Sequence, residues 1–288
     1  MAKPGAAVQT ATPALRRWII AQAEAGFAPD VVLASMLASG WDEVVANAAL
    51  DATLTSYLQA QSQQPQRPTA VPVPSPALEG APLWLDAGDR KVAVLSVMHL
   101  PRLVVLGGLL SDEECTALVA LARPRLSRSL TVETQTGADE VHVDRTSDGM
   151  FFQRGENPLV QRIEARIARL LHWPEINGEG LQVLQYQPGA QYKPHYDYFD
   201  PLEPGTPHIL ERGGQRVATL IIYLQSPEQG GATIFPDVQL EVAPQRGNAV
   251  FFSYDRPHAC TQSLHGGAPV LAGEKWIATK WLRENEFN

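Results

Sequence analysis

Between residues 181 and 283 the chain breaks into strand-like runs, 181–186, 191–198, 216–224, 232–242, 247–254 and 274–283, separated by glycine and proline turns. Many short strands with such punctuation fold as a sandwich or barrel, and the double-sheet version is the jelly roll. The second run constrains chemistry as well as fold. His195 and Asp197 stand two apart in it, so on a strand both side chains point to one side while Pro194 and Tyr196 face the other. A rigid sheet can aim two ligands at one metal in this way.

Two imidazoles and one carboxylate can occupy one face of an iron(II) ion, leaving three positions for a cosubstrate and oxygen. Chance supplies many His-x-Asp triplets, and a histidine taken alone is more often a structural residue. Three further features shift that balance. His265 lies far downstream, beyond several strand-like segments. Lys275 follows it within Gly273-Glu274-Lys275-Trp276-Ile277-Ala278-Thr279-Lys280-Trp281. Gly230-Gly231-Ala232-Thr233-Ile234-Phe235-Pro236 reads as a tight turn feeding a strand that carries a hydroxyl.

With those strings in place, the chain resembles the prolyl 4-hydroxylase branch of the iron(II)/2-oxoglutarate-dependent dioxygenases, from about Pro101 to Arg283. The resemblance also rests on Leu110-Ser111-Asp112-Glu113-Glu114-Cys115, Arg145-Thr146-Ser147-Asp148-Gly149-Met150-Phe151, Glu179-Gly180-Leu181-Gln182-Val183-Leu184-Gln185-Tyr186 and Gly213-Gly214-Gln215-Arg216. It implies an α+β domain whose core is a double-stranded β-helix, or jelly roll, buttressed by helices. It implies a procollagen-proline 4-dioxygenase-like enzyme that hydroxylates a prolyl residue in a peptide or protein and releases succinate and CO2. The cofactors that go with this are Fe(2+), 2-oxoglutarate as cosubstrate and O2, with ascorbate as an accessory reductant.

The resemblance assigns the metal to His195, Asp197 and His265. The far carboxylate of 2-oxoglutarate needs a buried cation, because an unpaired buried charge is prohibitively costly. Lys275 matches the family's lysine for that role, with Tyr186 and Thr233 as hydroxyl partners. Lys280, at an odd offset from Lys275, is expected on the opposite face. His258 is a competing imidazole, but only His265 keeps the family's ten-residue step to Lys275. Peptide contacts carry over to Arg145, Ser147, Glu179, Tyr192, Arg216 and Trp281, and 127–152 would be a lid over the substrate. Arg283 stands where some relatives carry a histidine.

The remaining sequence bounds the setting. A net charge of −8 provides no basic stripe for phosphates and argues against nucleic-acid or anionic-membrane partners. Two cysteines, Cys115 and Cys260, have no metal-site spacing and read as reduced thiols. No basic segment followed by an apolar core opens the sequence, and cytoplasm is the default location.

Residues 1–60 read as a bundle of short helices, 61–83 as a Pro/Gln-rich linker of semi-rigid extended character, and 84–288 as the dioxygenase domain. In the first part, Leu15, Trp18 and Ile19, then Val32, Leu33, Met36 and Leu37, then Val44, Val45, Ala48 and Ala49 are the expected inner faces. Gly26-Phe27 and Gly40-Trp41-Asp42 look similar to ubiquitin-associated-type bundles. In the domain, Ser111 to Glu114 is a capping box before a helix with Leu118, Leu121 and Ala122 inward, and Leu159, Ile163, Ile167 and Leu170 mark a second helix over 157–171.

Three other functions compete with the leading one. They are the same chemistry on a non-prolyl substrate, a non-catalytic binding protein recruiting partners through the N-terminal helices, and a zinc hydrolase using the same triad. The last leaves Lys275, Tyr186 and Thr233 without a role. Oligomeric state stays open, a homodimer included.

Overall fold

The computed structural model describes residues 12–24, 26–62, 68–128, 131–132, 139–140 and 146–288, and the chain divides into two units, Met1–Arg67 and Pro68–Asn288. The first unit holds helices α1 (Pro13–Glu24), α2 (Pro29–Ala38) and α3 (Glu43–Ser62). Asp42 caps α3 by accepting from the backbone N–H groups of Val44 and Val45. The core consists of Ile19, Val32, Met36, Ala46, Ala49 and Leu50. On α3 this departs from the expected face: Val44 is 77% exposed, and the buried stripe runs Ala46, Ala49, Leu50 and Thr53. Those positions follow i, i+3, i+4, i+7, the set that points one way on a helix, whereas Val44 falls off it. Leu37 is likewise exposed, leaving Val32 and Met36 to anchor α2.

The second unit begins inside the proline-rich segment. Residues 68–82 lie along the domain: the Val71 N–H donates to Asp255 O at 2.8 Å and the Ser75 N–H to Leu171 O at 3.1 Å. Pro74 and Pro76 are buried. Prolines cannot donate, so the residues between them provide the hydrogen bonds that tether this extended strap.

Two main antiparallel sheets follow, beside two short two-stranded ones. The larger has nine strands in the order Trp84–Asp86, Lys91–Met98, Arg102–Gly107, Ala249–Ser253, Arg216–Gln225, Lys275–Arg283, Leu181–Tyr186, Asp148–Phe152 and Ser127–Arg128. The smaller has four, Leu240–Val242, Thr233–Phe235, His265–Gly267 and Tyr192–His195. Phe235 and Val242 of the smaller sheet pack against Tyr223, Val250, Phe252 and Ile277 of the larger. Together they form the double-stranded β-helix.

Helices α4 (Asp112–Ala122) and α5 (Pro158–Leu171) cover the outer face of the large sheet. Ser111 and Glu114 close the capping box of α4, and the Asn157 side chain accepts from the Leu159 and Val160 N–H groups to cap α5. Leu118, Ile163, Ile167 and Leu170 share a cluster with Leu220, Ile222, Trp276 and Ala278. Leu121, expected inward, is 44% exposed, because Cys115, Leu118, Val119 and Ala122 form the buried stripe.

The two-residue period of the strands then sorts everything. Along Lys275–Arg283, Trp276, Ala278 and Leu282 face the helices, while Lys275, Ile277, Thr279 and Trp281 face the space between the sheets. No helix among the described residues is long and apolar enough to cross a membrane.

Candidate active site

His195 and His265 are register partners across the small sheet, which puts both imidazoles at one level of its inner surface. The strand ends at His195, however, so Asp197 is not on it as the spacing predicts. Asp197 reaches the same point from the bend beyond, buried and fixed by the Thr219 hydroxyl, which donates to its Oδ2 at 2.7 Å. Its Oδ1 is 3.6 Å from His195 Nε2 and its Oδ2 is 3.4 Å from His265 Nε2. One ligand atom from each of the three residues lies within 4.8 Å of the other two.

The tautomers follow from the neighbours. His195 Nδ1 is 2.9 Å from Lys193 O, and His265 Nδ1 is 3.1 Å from Ser263 O. A carbonyl only accepts, so in each ring Nδ1 carries a proton and Nε2 is the nitrogen turned to the shared point. Burial pushes His265 down to about 4, against the pull of Asp197, so its ring is neutral at pH 7. Burial alone would raise the Asp197 carboxyl, but the two imidazoles outweigh it and hold the group well below the usual carboxylate range. A neutral His265 beside an ionised Asp197 matches the protonation states a divalent cation requires of its ligands. A mixed N/O donor set of this kind fits ferrous iron.

Lys275 pairs with Tyr186 in the adjacent strand and enters the same pocket, where it is 2% exposed. Its ammonium lies 5.3 Å from the Tyr186 ring centre. Among the described residues no carboxylate comes within ion-pair distance of it, and burial lowers its pKa from 10.5 to about 8. Space for the lysine stem comes from Gly231, whose φ of +72° suits glycine and whose added Cβ would stand 3.1 Å from Lys275 Cδ.

Thr233 lines the pocket and accepts a hydrogen bond from the Tyr223 hydroxyl at 2.8 Å, which leaves the threonine's own O–H to donate elsewhere. Lys280 faces the helices instead, as its odd offset predicts, and is ion-paired with Glu164 of α5 while also donating to Glu179 O. His258 caps a short 3-10 turn by accepting from the Cys260 N–H and stands outside the triad.

Of the predicted peptide contacts, Tyr192 and Trp281 line the pocket. The Tyr192 ring stacks on His195 with centroids 3.8 Å apart. Glu179 is buried and fully engaged, with Arg216 on both of its oxygens and Arg283 on one. The Arg216 guanidinium in turn covers the Trp281 ring at 4.0 Å. Glu179 therefore anchors the wall rather than presenting a free carboxylate. Ser147 is buried just before the strand Asp148–Phe152, and Arg145 lies outside the described residues, as does part of the expected lid.

Trp281 Nε1 is the only fully buried side-chain nitrogen or oxygen among the described residues that lacks a hydrogen-bond partner. Such a group costs stability unless something occupies the site it faces. Sequence reasoning missed Thr219, Tyr223 and Tyr254. The signal was present for the first two, as hydroxyls spaced by an even number in the otherwise apolar run 217–224.

A sequence model described as the 2OG-Fe(II) oxygenase superfamily matches residues 181–283. Prolyl 4-hydroxylase 1 of Arabidopsis thaliana is 44% identical over 218 residues, covering 69% of this chain and 74% of the relative. Prolyl 4-hydroxylase 5 of the same plant is 40% identical over 221 residues, covering 69% and 74%. Among solved structures, the 2OG complex of the viral collagen prolyl hydroxylase vCPH from Paramecium Bursaria Chlorella virus-1 is 30% identical, with a TM-score of 0.49, covering 63% of this chain and 95% of that one.

Proposed function

The chain belongs to the prolyl 4-hydroxylase branch of the 2OG-Fe(II) oxygenase superfamily, and from that premise we propose that it hydroxylates a prolyl residue within a peptide or protein. The reaction couples that hydroxylation to oxidative decarboxylation of 2-oxoglutarate: one oxygen atom of O2 enters the prolyl ring, the other enters succinate, and CO2 leaves. Ferrous iron, when bound, supplies the adjacent coordination positions at which cosubstrate and dioxygen react.

In this reading His195, Asp197 and His265 hold the iron. Lys275 neutralises the far carboxylate of 2-oxoglutarate, and the hydroxyls of Thr233 and Tyr186 supply its neutral partners. The observation that carries the reading is a buried ammonium that, among the described residues, has no carboxylate within ion-pair distance, in a pocket that also contains a converged His/Asp/His set. A dicarboxylate with one metal-binding end and one free end satisfies both. Leu184, Ile221 and Ile277 on the same walls keep water away from the reacting groups.

The peptide class is supported by two aromatic side chains that line the pocket. Trp281 offers an N–H that has no partner among the described residues, suited to a peptide carbonyl, on a ring braced by Arg216. Tyr192 offers an aromatic face beside the metal ligands, a surface that suits the flat, preformed geometry of proline.

The test is turnover by the full chain with Fe(2+), ascorbate, 2-oxoglutarate and proline-rich peptides, following succinate and the peptide's mass. The expected result is succinate formation stimulated by peptide, with a gain of one oxygen on proline. Succinate formation indifferent to every prolyl peptide would remove the prolyl assignment, and oxygen gained on another side chain would redirect it.

A further inference from the structure

Behind the carboxylate of Asp197 stand two hydroxyls that the proposed chemistry does not use. Thr219 Oγ1 donates to Asp197 Oδ2 at 2.7 Å, and Tyr254 OH lies 3.0 Å from the same Thr219 oxygen. All three side chains are buried. The direction of the chain is fixed by counting protons. An ionised carboxylate only accepts, so the single Thr219 proton goes to Asp197. Thr219 can then only accept from its other neighbour, and the Tyr254 O–H must be the donor. Burial and the Asp197 charge both raise the Tyr254 pKa well above 10, so the phenol keeps the proton it donates.

We infer that Tyr254 and Thr219 form a one-way hydroxyl relay that fixes Asp197 in its metal-binding orientation, which makes both of them positioning residues. The inference rests on the triad being the metal centre. Asp197 needs such help more than the histidines do. It lies past the end of the strand, with no ladder to hold it, whereas His195 and His265 are register partners within a sheet. Each imidazole also has its own carbonyl brace. The relay is placed by the opposite sheet: Thr219 is in register with Phe252 on one side and Trp281 on the other. The Tyr254 ring is held by Tyr198, edge-on at 6.0 Å, and by Phe252 at 6.2 Å.

Two effects of the relay oppose each other. A donated proton withdraws charge from the carboxylate and weakens it as a ligand, while fixing its rotation removes an entropic cost of binding. Outer-shell partners of metal ligands typically contribute about 10- to 100-fold in affinity, so orientation is the larger effect. In a dry site the hydrogen bonds of such a chain also strengthen one another.

The experiment is Mn(2+) titration of the full chain, read by calorimetry, which requires no turnover. Thr219→Val keeps the shape and loses the hydroxyl, and is expected to weaken Mn(2+) by about 10- to 100-fold. Thr219→Ser restores the hydroxyl and should return affinity to within about 3-fold of the parent, while Tyr254→Phe should fall between, at about 3- to 10-fold weaker. Parent-like affinity in both Thr219→Val and Tyr254→Phe overturns the relay, as does a Thr219→Ser variant as weak as Thr219→Val. Should Thr219→Val fail to fold, Tyr254→Phe decides between the outcomes, since it removes one atom and keeps the ring. Absence of Mn(2+) binding by the parent chain itself would instead remove the metal-centre reading on which the relay depends.

Discussion

Replacing Lys275 by methionine should make the ligand-free protein more stable and its cosubstrate complex much weaker. The ammonium is 2% exposed, and burial lowers its pKa from 10.5 to about 8. At about 1.4 kcal/mol per tenfold in the proton equilibrium, keeping that lysine charged in the folded state costs about 3 kcal/mol at pH 7. Methionine fills the slot without charge. It gives up the contact with the Tyr186 ring, which contributes about 0.5–2 kcal/mol, so the net gain is about 1–2.5 kcal/mol. For a domain of this size that is a rise in melting temperature of about 2–10 °C.

The pH dependence has a definite sign. Unfolded lysine holds its proton up to about 10.5 and the folded one releases it near 8, so the parent bears the full cost below pH 8. Its stability rises between pH 8 and 10.5, and the difference from Lys275→Met closes over that window. Binding moves the other way. Removing one partner of a buried charge pair costs about 2–5 kcal/mol, which is about 30- to several-thousand-fold in affinity for 2-oxoglutarate. Thermal unfolding with Mn(2+), with and without 2-oxoglutarate, measures both effects, and calorimetric titration gives the affinity. A variant that melts below the parent without ligand and still binds 2-oxoglutarate normally would refute the reasoning.

Three further outcomes are expected. His195→Ala removes one of three metal donors and should abolish peptide-stimulated succinate formation while leaving the metal-free circular dichroism spectrum unchanged; retained turnover would show that another group binds the metal. Trp281→Phe discards an N–H that has no partner to lose, so urea unfolding should barely change, while the peptide KM rises about 2- to 12-fold from one missing hydrogen bond. Lys280→Met strands the buried Glu164 carboxylate and should destabilise the fold by about 3–5 kcal/mol in urea unfolding, with Glu164→Gln in the same chain recovering most of that loss.

Much of this protein is legible from residue order alone, for reasons that are local. Alternation with a period of two separates Lys275 from Lys280, because a pleated strand admits no other arrangement. Capping chemistry at Ser111 and Glu114 locates a helix start, since the first N–H groups of any helix need acceptors nearby in the chain. Glycine at 230–231 marks a turn for the same kind of reason.

Where partners are distant in sequence, only the tertiary structure decided. His195 meets His265 through strand register, and Asp197 joins them from a bend rather than from the strand its spacing suggested. Tyr254 was silent in the sequence, and Thr219 was marked only by its even spacing from Tyr223, because their meaning lies in the carboxylate that the opposite sheet faces. The role of Glu179 changed once Arg216 and Arg283 were seen to engage it, and α3 chose Ala46 and Leu50 over Val44 because packing against α1 and α2 selects the stripe. Short-range geometry is written into neighbouring residues, whereas convergence on a point depends on how two sheets close over each other, and no single run of sequence contains that information.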